Sequence, residues 1–198
     1  MTQVEKVLRF ANQNNGIITT KELKKLGVGR WVLQDLERLE KIFPVQRGIY
    51  VTKNGYADDF FLLQQRYPKG IFSHETALYL LGYSDRVPIQ IVMTFKQGTS
   101  TTRMKADNIR PVTISKNEQY EMGIIEAKRP GGTLVKVYEI ERVLAELLKP
   151  KYDADFEQVI PAFKRYATDK EKDVNKLFRY ARMFGVEEKV RNYMGVLL

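Results

Sequence analysis

The sequence of 198 residues has no cysteine and only one histidine, His74. The absence of cysteine excludes disulfide bonds, a thiol nucleophile and any thiolate metal site. With a single histidine, zinc sites and most His-based catalytic triads are excluded as well. The chain also lacks an apolar run of membrane-spanning length, and its N-terminus has no signal sequence. We therefore expect a cytoplasmic protein that does not interact with membranes.

The charged residues are unevenly distributed along the chain. There are 33 Lys and Arg against 24 Asp and Glu, a net charge of +9. More than half of this surplus lies in residues 1–56, which hold ten basic and five acidic residues. A polyanion such as DNA is the partner that this asymmetry favours, because neutralisation of phosphates supplies most of the non-specific affinity.

Two short helices are predicted near the N-terminus. Thr19 and Glu22 have the spacing of a capping box that begins the first helix, and Gly27 is a natural end for it. The second helix is expected over residues 30–41. Its apolar side consists of Val32, Leu33, Leu36 and Leu39. This side is expected to bury against the preceding helices.

Two β-prone runs follow these helices, at residues 42–45 and 49–51. They are separated by Gln46, Arg47 and Gly48, a hairpin turn in which Gly48 supplies a positive φ. Together with a first helix predicted over residues 2–13, this pattern predicts a winged helix-turn-helix domain of residues 1–55. In such a domain the last helix enters the major groove, and the hairpin contacts the backbone or the minor groove.

The polar side of the helix predicted over residues 30–41 supplies the candidate DNA contacts. Arg can pair with guanine and Gln with adenine in the major groove. The candidates for base contacts are therefore Arg30, Gln34 and Arg38. The candidates for phosphate contacts, which position a protein without reading sequence, are Lys24, Lys25, Lys41 and Arg47. Trp31 is expected either to pack on the sugar-phosphate backbone or to lie in the core at the helix junction.

Residues 56–198 are predicted to form a larger α+β domain. It begins with a helix over residues 57–67 and a second helix from His74 that Ser73 caps. Four strands are then expected, at residues 89–95, 109–115, 123–127 and 133–138. Strands that follow one another directly in this way favour a mostly antiparallel sheet. Apolar stripes after residue 139 predict helices that are grouped at the C-terminus.

Two acid–base or metal patterns are weaker than the DNA-binding pattern. His74 follows Ser73, but no partner carboxylate accompanies the pair in sequence. Asp153 and Asp155 have the D-x-D spacing of paired magnesium ligands, yet they open a predicted helix, where acids are favoured by the helix dipole. We therefore predict no catalytic residue and no metal ligand in these two patterns.

The alternative hypothesis is that the protein is an enzyme, a metal-dependent nuclease. Glu126 and Lys128 form an E-x-K pattern on a predicted strand, and Asp107 lies upstream. Restriction-type nucleases use an Asp followed by E-x-K to hold Mg²⁺ and to activate water. Because E-x-K is common by chance, we prefer the DNA-binding hypothesis, and cleavage that Glu126→Ala abolishes would favour the nuclease.

Two later segments resemble a known family. They are SHETALYLLGYSDRVP, from Ser73 to Pro88, and VYEIERVLAELL, from Val137 to Leu148. With the predicted N-terminal domain, they are similar to the AbiEi-type antitoxins of type IV toxin–antitoxin systems, which act in phage abortive infection. The first segment is the more specific of the two. One departure is Glu146, where related sequences are expected to have Asp.

The resemblance implies two activities and no enzymatic one. The N-terminal domain is expected to bind inverted repeats in double-stranded DNA upstream of its operon and to repress transcription. The C-terminal domain is expected to assist cooperative DNA binding and to counter a nucleotidyltransferase-like toxin without a stable complex. No cofactor is expected, and the protein would be a monomer or self-associate weakly. The alternative is a DNA-binding adaptor with a protein-binding C-terminal domain, for which a co-purifying partner would be evidence.

Overall fold

The structure is a computed structural model that describes residues 1–152 and 154–197. The chain forms two compact units. The first unit contains Met1–Tyr67 and Lys128–Val135, and the second contains Pro68–Ala127 and the chain from Lys136 onward. The predicted domain boundary is at residue 55. The first unit therefore includes a helix that follows this boundary, and it is discontinuous in sequence.

The first unit contains four helices and a three-stranded sheet. The helices are α1 (Gln3–Gln13), α2 (Thr20–Lys25), α3 (Arg30–Arg38) and α4 (Asp59–Arg66). The strands are β1 (Ile17–Thr19), β2 (Ile42–Gln46) and β3 (Ile49–Thr52). Strand β3 lies in the centre and pairs antiparallel with both neighbours. The short strand β1 was not predicted, because its three residues are too few to give a period.

A small apolar core joins these elements. Its buried side chains are Val7, Ala11, Ile18, Leu23, Val28, Val32, Leu33, Leu36 and Ile42. They come from α1, α2, α3, the sheet and the turn between α2 and α3. Each fully buried Val, Leu or Ile side chain contributes about 1.5–3 kcal/mol. The buried side of α3 is the side that the sequence predicted, with the exception of its last leucine.

The second unit combines a five-stranded sheet with six helices among its described residues. The strands are β4 (Ile71–Phe72), β5 (Ile91–Lys96), β6 (Ile109–Ile114), β7 (Ile124–Lys128) and β8 (Leu134–Tyr138). The helices are α5 (His74–Leu80), α6 (Asn117–Glu121), α7 (Ile140–Leu147), α8 (Phe156–Thr168), α9 (Val174–Phe184) and α10 (Glu187–Leu197). The fold class is therefore α+β with its helices grouped at the C-terminus, as predicted.

The five-stranded sheet is mixed, which corrects the prediction of a mostly antiparallel sheet. Its strand order is β6-β5-β4-β8-β7. Strands β4 and β5 are antiparallel, whereas β5 pairs parallel with β6 and β4 pairs parallel with β8. Parallel neighbours need a crossover of about a dozen residues. The polar loop of residues 97–108 is long enough for this crossover. The length of this loop was the feature of the sequence that allowed a parallel pair.

Other details of the second unit also differ from the predictions. Thr168 and Glu171 have the sequence spacing of a capping box, but Thr168 is the last residue of α8, so this pair does not begin a helix. The N-cap of α9 is Asp173, whose side chain accepts a hydrogen bond from the Lys176 amide. Ser73 precedes α5 but makes no capping hydrogen bond. The Ser73 hydroxyl instead accepts a hydrogen bond from Thr94 Oγ1.

No helix in the described residues is both long enough and apolar enough to cross a membrane.

Candidate nucleic-acid interface

Helix α2 begins and ends at residues that the sequence specifies. The Glu22 amide donates to Thr19 Oγ1 at 3.2 Å, and the Thr19 amide donates to Glu22 Oε2 at 3.2 Å. This reciprocal pair is the predicted capping box. At the other end Gly27 has a φ of 67°, and the Val28 amide donates to the Leu23 carbonyl at 3.0 Å, which closes a Schellman motif. Two predicted phosphate contacts are exposed on this helix, Lys24 and Lys25.

Helix α3 has one apolar and one polar side. The buried residues are Val32, Leu33 and Leu36. The three residues predicted to contact bases are all exposed: Arg30, Gln34 and Arg38. Their spacing of four residues places them on one side of the helix. The apolar seam therefore holds α3 in the unit while its outer side faces solvent.

Helix α3 ends earlier than predicted. Its last residue is Arg38, and Leu39 is 58% exposed and does not belong to the apolar side. Glu40 adopts a left-handed conformation with a φ of 54°, and the Lys41 amide donates to the Leu36 carbonyl at 2.9 Å. This arrangement is a Schellman motif without its usual glycine. Lys41 is exposed, but it lies beyond the helix.

Trp31 lies outside the apolar core of the first unit. Its side chain is 55% exposed. The indole ring lies over the backbone of Gly29, where an added Cβ would be 2.6 Å from the ring nitrogen. The alternative of a buried helix-junction residue is therefore excluded, and contact with a sugar-phosphate backbone remains a prediction.

The hairpin of β2 and β3 presents Arg47 at its turn. Arg47 is exposed, and the following Gly48 has a φ of 78°, as predicted. The Gly48 carbonyl accepts a hydrogen bond from the Thr20 amide at 2.9 Å. A Cβ on Gly48 would lie 2.8 Å from Thr20 Oγ1. The turn is thus attached to the first residue of α2, and a larger residue at position 48 would push the two apart.

One of the candidate arginines has an acidic neighbour. Arg38 Nη2 lies 3.2 Å from Asp35 Oδ1, and both side chains are well exposed. An ion pair of this kind contributes about 0–1 kcal/mol. A phosphate or a guanine edge can therefore replace Asp35 as the partner of Arg38 at little cost.

The first unit also contains a buried ion pair that sequence reasoning missed. Asp58 is the N-cap of α4, and its Oδ2 accepts from Arg129 Nε at 2.7 Å. The Arg129 guanidinium also lies 4.8 Å from the centre of the Phe60 ring. In the sequence, Asp58 lies at the start of the helix predicted over residues 57–67, where the helix dipole favours an acid. No local signal could reveal a partner that is distant in sequence.

Ser73 and His74 belong to a buried polar cluster in the second unit. Ser73 Oγ lies 3.0 Å from His74 Nδ1 and accepts a hydrogen bond from Thr94 Oγ1 at 2.9 Å. The Tyr152 ring packs edge-on against the imidazole at 4.3 Å. Burial, and then the positive charges of Arg110 and Arg142, lower the pKa of His74 to about 3. His74 is therefore a neutral, buried residue that packs inside the second unit.

The structure separates the residues of the nuclease alternative. Asp107 precedes β6 and Glu126 lies on β7, and these strands are at opposite edges of the five-stranded sheet. Four strand spacings of about 4.8 Å lie between them. Lys128 is also on β7. Among residues 1–152 and 154–197, no group of three His, Asp or Glu could hold a metal ion.

The structure describes one of the two aspartates of the D-x-D pattern. Asp153 lies outside the described residues. Asp155 is the N-cap of α8 and accepts a hydrogen bond from the Glu157 amide at 2.9 Å. Its other oxygen accepts from Arg86 at 3.0 Å. Asp155 therefore has a structural role at a helix start.

Comparisons with known proteins provide evidence on the fold. No family model and no curated protein matches the chain. The chain is similar in structure to the Rv2827c protein from Mycobacterium tuberculosis. The two share 14% sequence identity with a TM-score of 0.53, over 98% of this chain and 81% of the other. At this identity the similarity shows a shared α+β fold alone.

Proposed function

We propose that the protein is a DNA-binding transcriptional autorepressor that also acts as the antitoxin of a type IV toxin–antitoxin system. In this proposal the first unit is a winged helix-turn-helix domain, α3 is its recognition helix, and the hairpin of β2 and β3 is its wing. The partner is double-stranded DNA with an inverted-repeat operator. The second unit counters a nucleotidyltransferase-like toxin without a stable complex.

One observation supports the DNA-binding part most directly. All eight residues predicted to contact DNA are exposed, while the opposite side of α3 is buried in the core. A recognition helix needs this division, because its outer side must enter the major groove while its inner side holds the domain together. The excess of basic residues at positions 1–56 adds the electrostatic attraction.

The antitoxin part is supported by sequence resemblance. The segments Ser73–Pro88 and Val137–Leu148 are similar to those of AbiEi-type antitoxins. Among their residues, Ser73 and His74 lie in the buried polar cluster, and Glu141, Arg142 and Glu146 are buried in α7. Buried polar residues of this kind specify the packing of the second unit, so the segments are related to its fold more closely than to an exposed site.

Salt-dependent binding to the upstream region of the operon tests the DNA-binding proposal. We expect Lys41→Ala to weaken binding and to reduce the slope of log affinity against log salt by about 0.9, the value for one lost phosphate contact. Arg38→Ala, which removes a predicted base contact, should weaken binding to the operator. Lys170→Ala, which removes an exposed charge from the second unit, is the matched control and should leave the slope unchanged. If neither α3-side variant changes affinity or slope, the interface assignment is wrong.

Base recognition requires a separate measurement. Gln34→Ala should relax discrimination at one operator position by about 1–3 kcal/mol and leave affinity for unrelated DNA unchanged. Lys41→Ala should instead weaken binding to all sequences equally, because a phosphate contact carries no sequence information. A uniform loss with Gln34→Ala would contradict its role in reading bases.

A further inference from the structure

A concave, basic region of the second unit lies at one end of the five-stranded sheet. Strand β4 has only two residues, Ile71 and Phe72, whereas its neighbour β5 continues to Lys96. This difference in length leaves a depression of about 680 Å³ beside the chain that leads into β4. We call this region the sheet-end depression. Its functional residues are Lys69, Lys96, Gly98, Thr99, Ser100 and Lys136.

The strand register brings the three lysines together. Ile71 pairs with Thr94, so Lys69 is level with Lys96. Phe72 pairs with Val137, which places Lys136 near the start of β4 on the other side. Because adjacent strands are about 4.8 Å apart, the three positions span roughly 10 Å. Lysine side chains can reach a common centre over this distance, and the residues that line the depression include no Asp or Glu.

The loop after β5 adds hydrogen-bonding groups to this charge. Gly98 has a φ of 86°, and the space where its Cβ would lie is empty. Thr99 Oγ1 donates to the Lys96 carbonyl at 2.8 Å, which holds the turn. Ser100 follows on the exposed side. The Thr99 amide also donates to the Lys96 carbonyl, at 3.2 Å. The donors that this turn offers to an anion are therefore the Gly98 amide and the Ser100 hydroxyl, and a glycine lets the anion approach the backbone closely.

An acidic residue next to the sheet-end depression contacts Lys96. Lys96 Nζ lies 2.7 Å from Glu121 Oε1, with the two side chains 42% and 64% exposed. The same ammonium lies 5.1 Å from the centre of the Tyr120 ring. An exposed pair of this kind is worth about 0–1 kcal/mol. A phosphate group that contacts several lysines at once therefore competes with Glu121 for Lys96.

We propose that the sheet-end depression binds the polyphosphate group of a nucleoside triphosphate. Three ammonium groups and a hydroxyl-bearing turn match closely spaced phosphates, because charge-assisted hydrogen bonds to phosphate are the strong ones. The volume lies within the range of about 300–1,000 Å³ that is typical of small-ligand sites. A nucleic-acid strand instead needs an extended track of cations along its backbone. The site goes beyond the proposed function and does not depend on it.

Isothermal titration calorimetry of the full chain tests this proposal. ATP without magnesium, tripolyphosphate, adenosine and a short oligouridine are titrated separately at moderate salt. We expect ATP and tripolyphosphate to bind at one site per chain, and adenosine not to bind at millimolar concentration. Lys69→Gln combined with Lys136→Gln should weaken ATP binding by about tenfold or more, because it removes two charge-assisted contacts.

Matched variants separate a site from general charge attraction. Lys164→Gln combined with Lys170→Gln removes the same charge from exposed positions elsewhere in the second unit, and it should change ATP affinity by less than about twofold. Lys69→Arg combined with Lys136→Arg keeps the charge and should retain binding. Thermal unfolding checks that each variant is folded.

Three results would overturn the proposal. They are no binding of ATP at millimolar concentration, an equal loss in the Lys164 and Lys170 control, and lysine-dependent binding of oligouridine without binding of ATP. The last result would indicate a single-stranded nucleic acid site. None of the measurements involves operator DNA, so they are independent of the autorepressor proposal.

Discussion

At the scale of single residues, His74 carries the most specific consequence of the fold. It is the only histidine in the chain, it is buried, and its Nε2 atom has no hydrogen-bond partner among the described residues. A proton added at Nε2 would place a positive charge near those of Arg110 and Arg142. The new N–H group would also have no hydrogen-bond acceptor among the described residues. This arrangement explains in physical terms why the pKa of His74 is lowered to about 3.

The lowered pKa predicts that acid destabilises the protein. The unfolded chain takes up a proton near pH 6.5, whereas the folded chain does so only near pH 3, so stability is lost as the pH falls between these values. Below pH 6 the free energy of unfolding in urea should fall by about 1.4 kcal/mol per pH unit. His74→Asn tolerates the left-handed φ of this position and should remove the slope between pH 6 and pH 5. A slope that persists in this variant would contradict the assignment.

Glu40 gives a second prediction at this scale. Its φ of 54° costs a residue with a Cβ about 1 kcal/mol, and glycine avoids this cost. Glu40→Gly should therefore stabilise the protein by about 1 kcal/mol in urea unfolding. Glu37→Gly, inside α3, is the matched control and should destabilise it by a similar amount. If both variants destabilise, the helix does not end at the Schellman motif that the structure shows.

At the scale of elements, Arg142 of α7 supports the short helix α6. It is fully buried, and Nη1 donates to the carbonyls of Gln119 and Met122 near the C-terminus of α6. Its guanidinium lies 3.3 Å from the centre of the Tyr138 ring, and its Nε lies 3.5 Å from Glu146 Oε2. One side chain thus satisfies carbonyls that the helix end leaves without donors.

Removing this arginine should destabilise the second unit. Arg142→Ala leaves two carbonyls without this donor and takes the positive charge away from the buried Glu146, which keeps, among the described residues, only its hydrogen bond from Tyr152. We expect a loss of about 3–5 kcal/mol. Amide exchange should be faster first in α6, because its end loses the donors. Arg182→Ala, at an exposed ion pair with Glu187, should cost less than about 1 kcal/mol. An equal effect of the two substitutions would argue against the support of α6.

Elements that carry a complete local signal could be predicted from the sequence. The capping box of Thr19 and Glu22 fixes the start of α2, and Gly48 fixes the turn between β2 and β3, because these signals need only neighbouring residues. Strand β4 and helix α6 were missed. Strand β4 has two residues and is held by its neighbours in the sheet, and α6 depends on Arg142 from a later helix.

The contrast between features with a local sequence signal and features without one also applies to the candidate site. Exposure of the polar side of α3 followed from its helical period, which places Arg30 and Arg38 opposite the leucines. The early end of α3 could not be predicted, because nothing local indicates that Glu40 adopts a left-handed conformation. The parallel pairing of β5 with β6 was indicated only by loop length, which sets no direction by itself.

At the scale of the whole molecule, the first unit is not a simple N-terminal domain. It includes Lys128–Val135 from the middle of the chain, and this segment supplies Arg129 to the buried carboxylate of Asp58. The chain therefore passes between the two units three times. A fragment that stops at Tyr67 would lack this arginine and leave Asp58 buried without its partner, so the intact chain is the appropriate material for every test of function.

The proposal assigns repression to the first unit and toxin neutralisation to the second. It therefore predicts that the two activities can be separated within the intact chain. Arg30→Ala combined with Arg38→Ala removes exposed charges from α3 and touches no core residue, so both units should remain folded. This variant should lose repression of a reporter that carries the upstream region. It should still restore growth when the neighbouring nucleotidyltransferase-like toxin is expressed from an independent promoter, because neutralisation is assigned to the second unit. Lys164→Ala combined with Lys170→Ala serves as the charge-matched control and should retain both activities. If the α3 variant loses rescue at an unchanged protein level, then neutralisation acts through DNA binding, and the two activities belong to one surface.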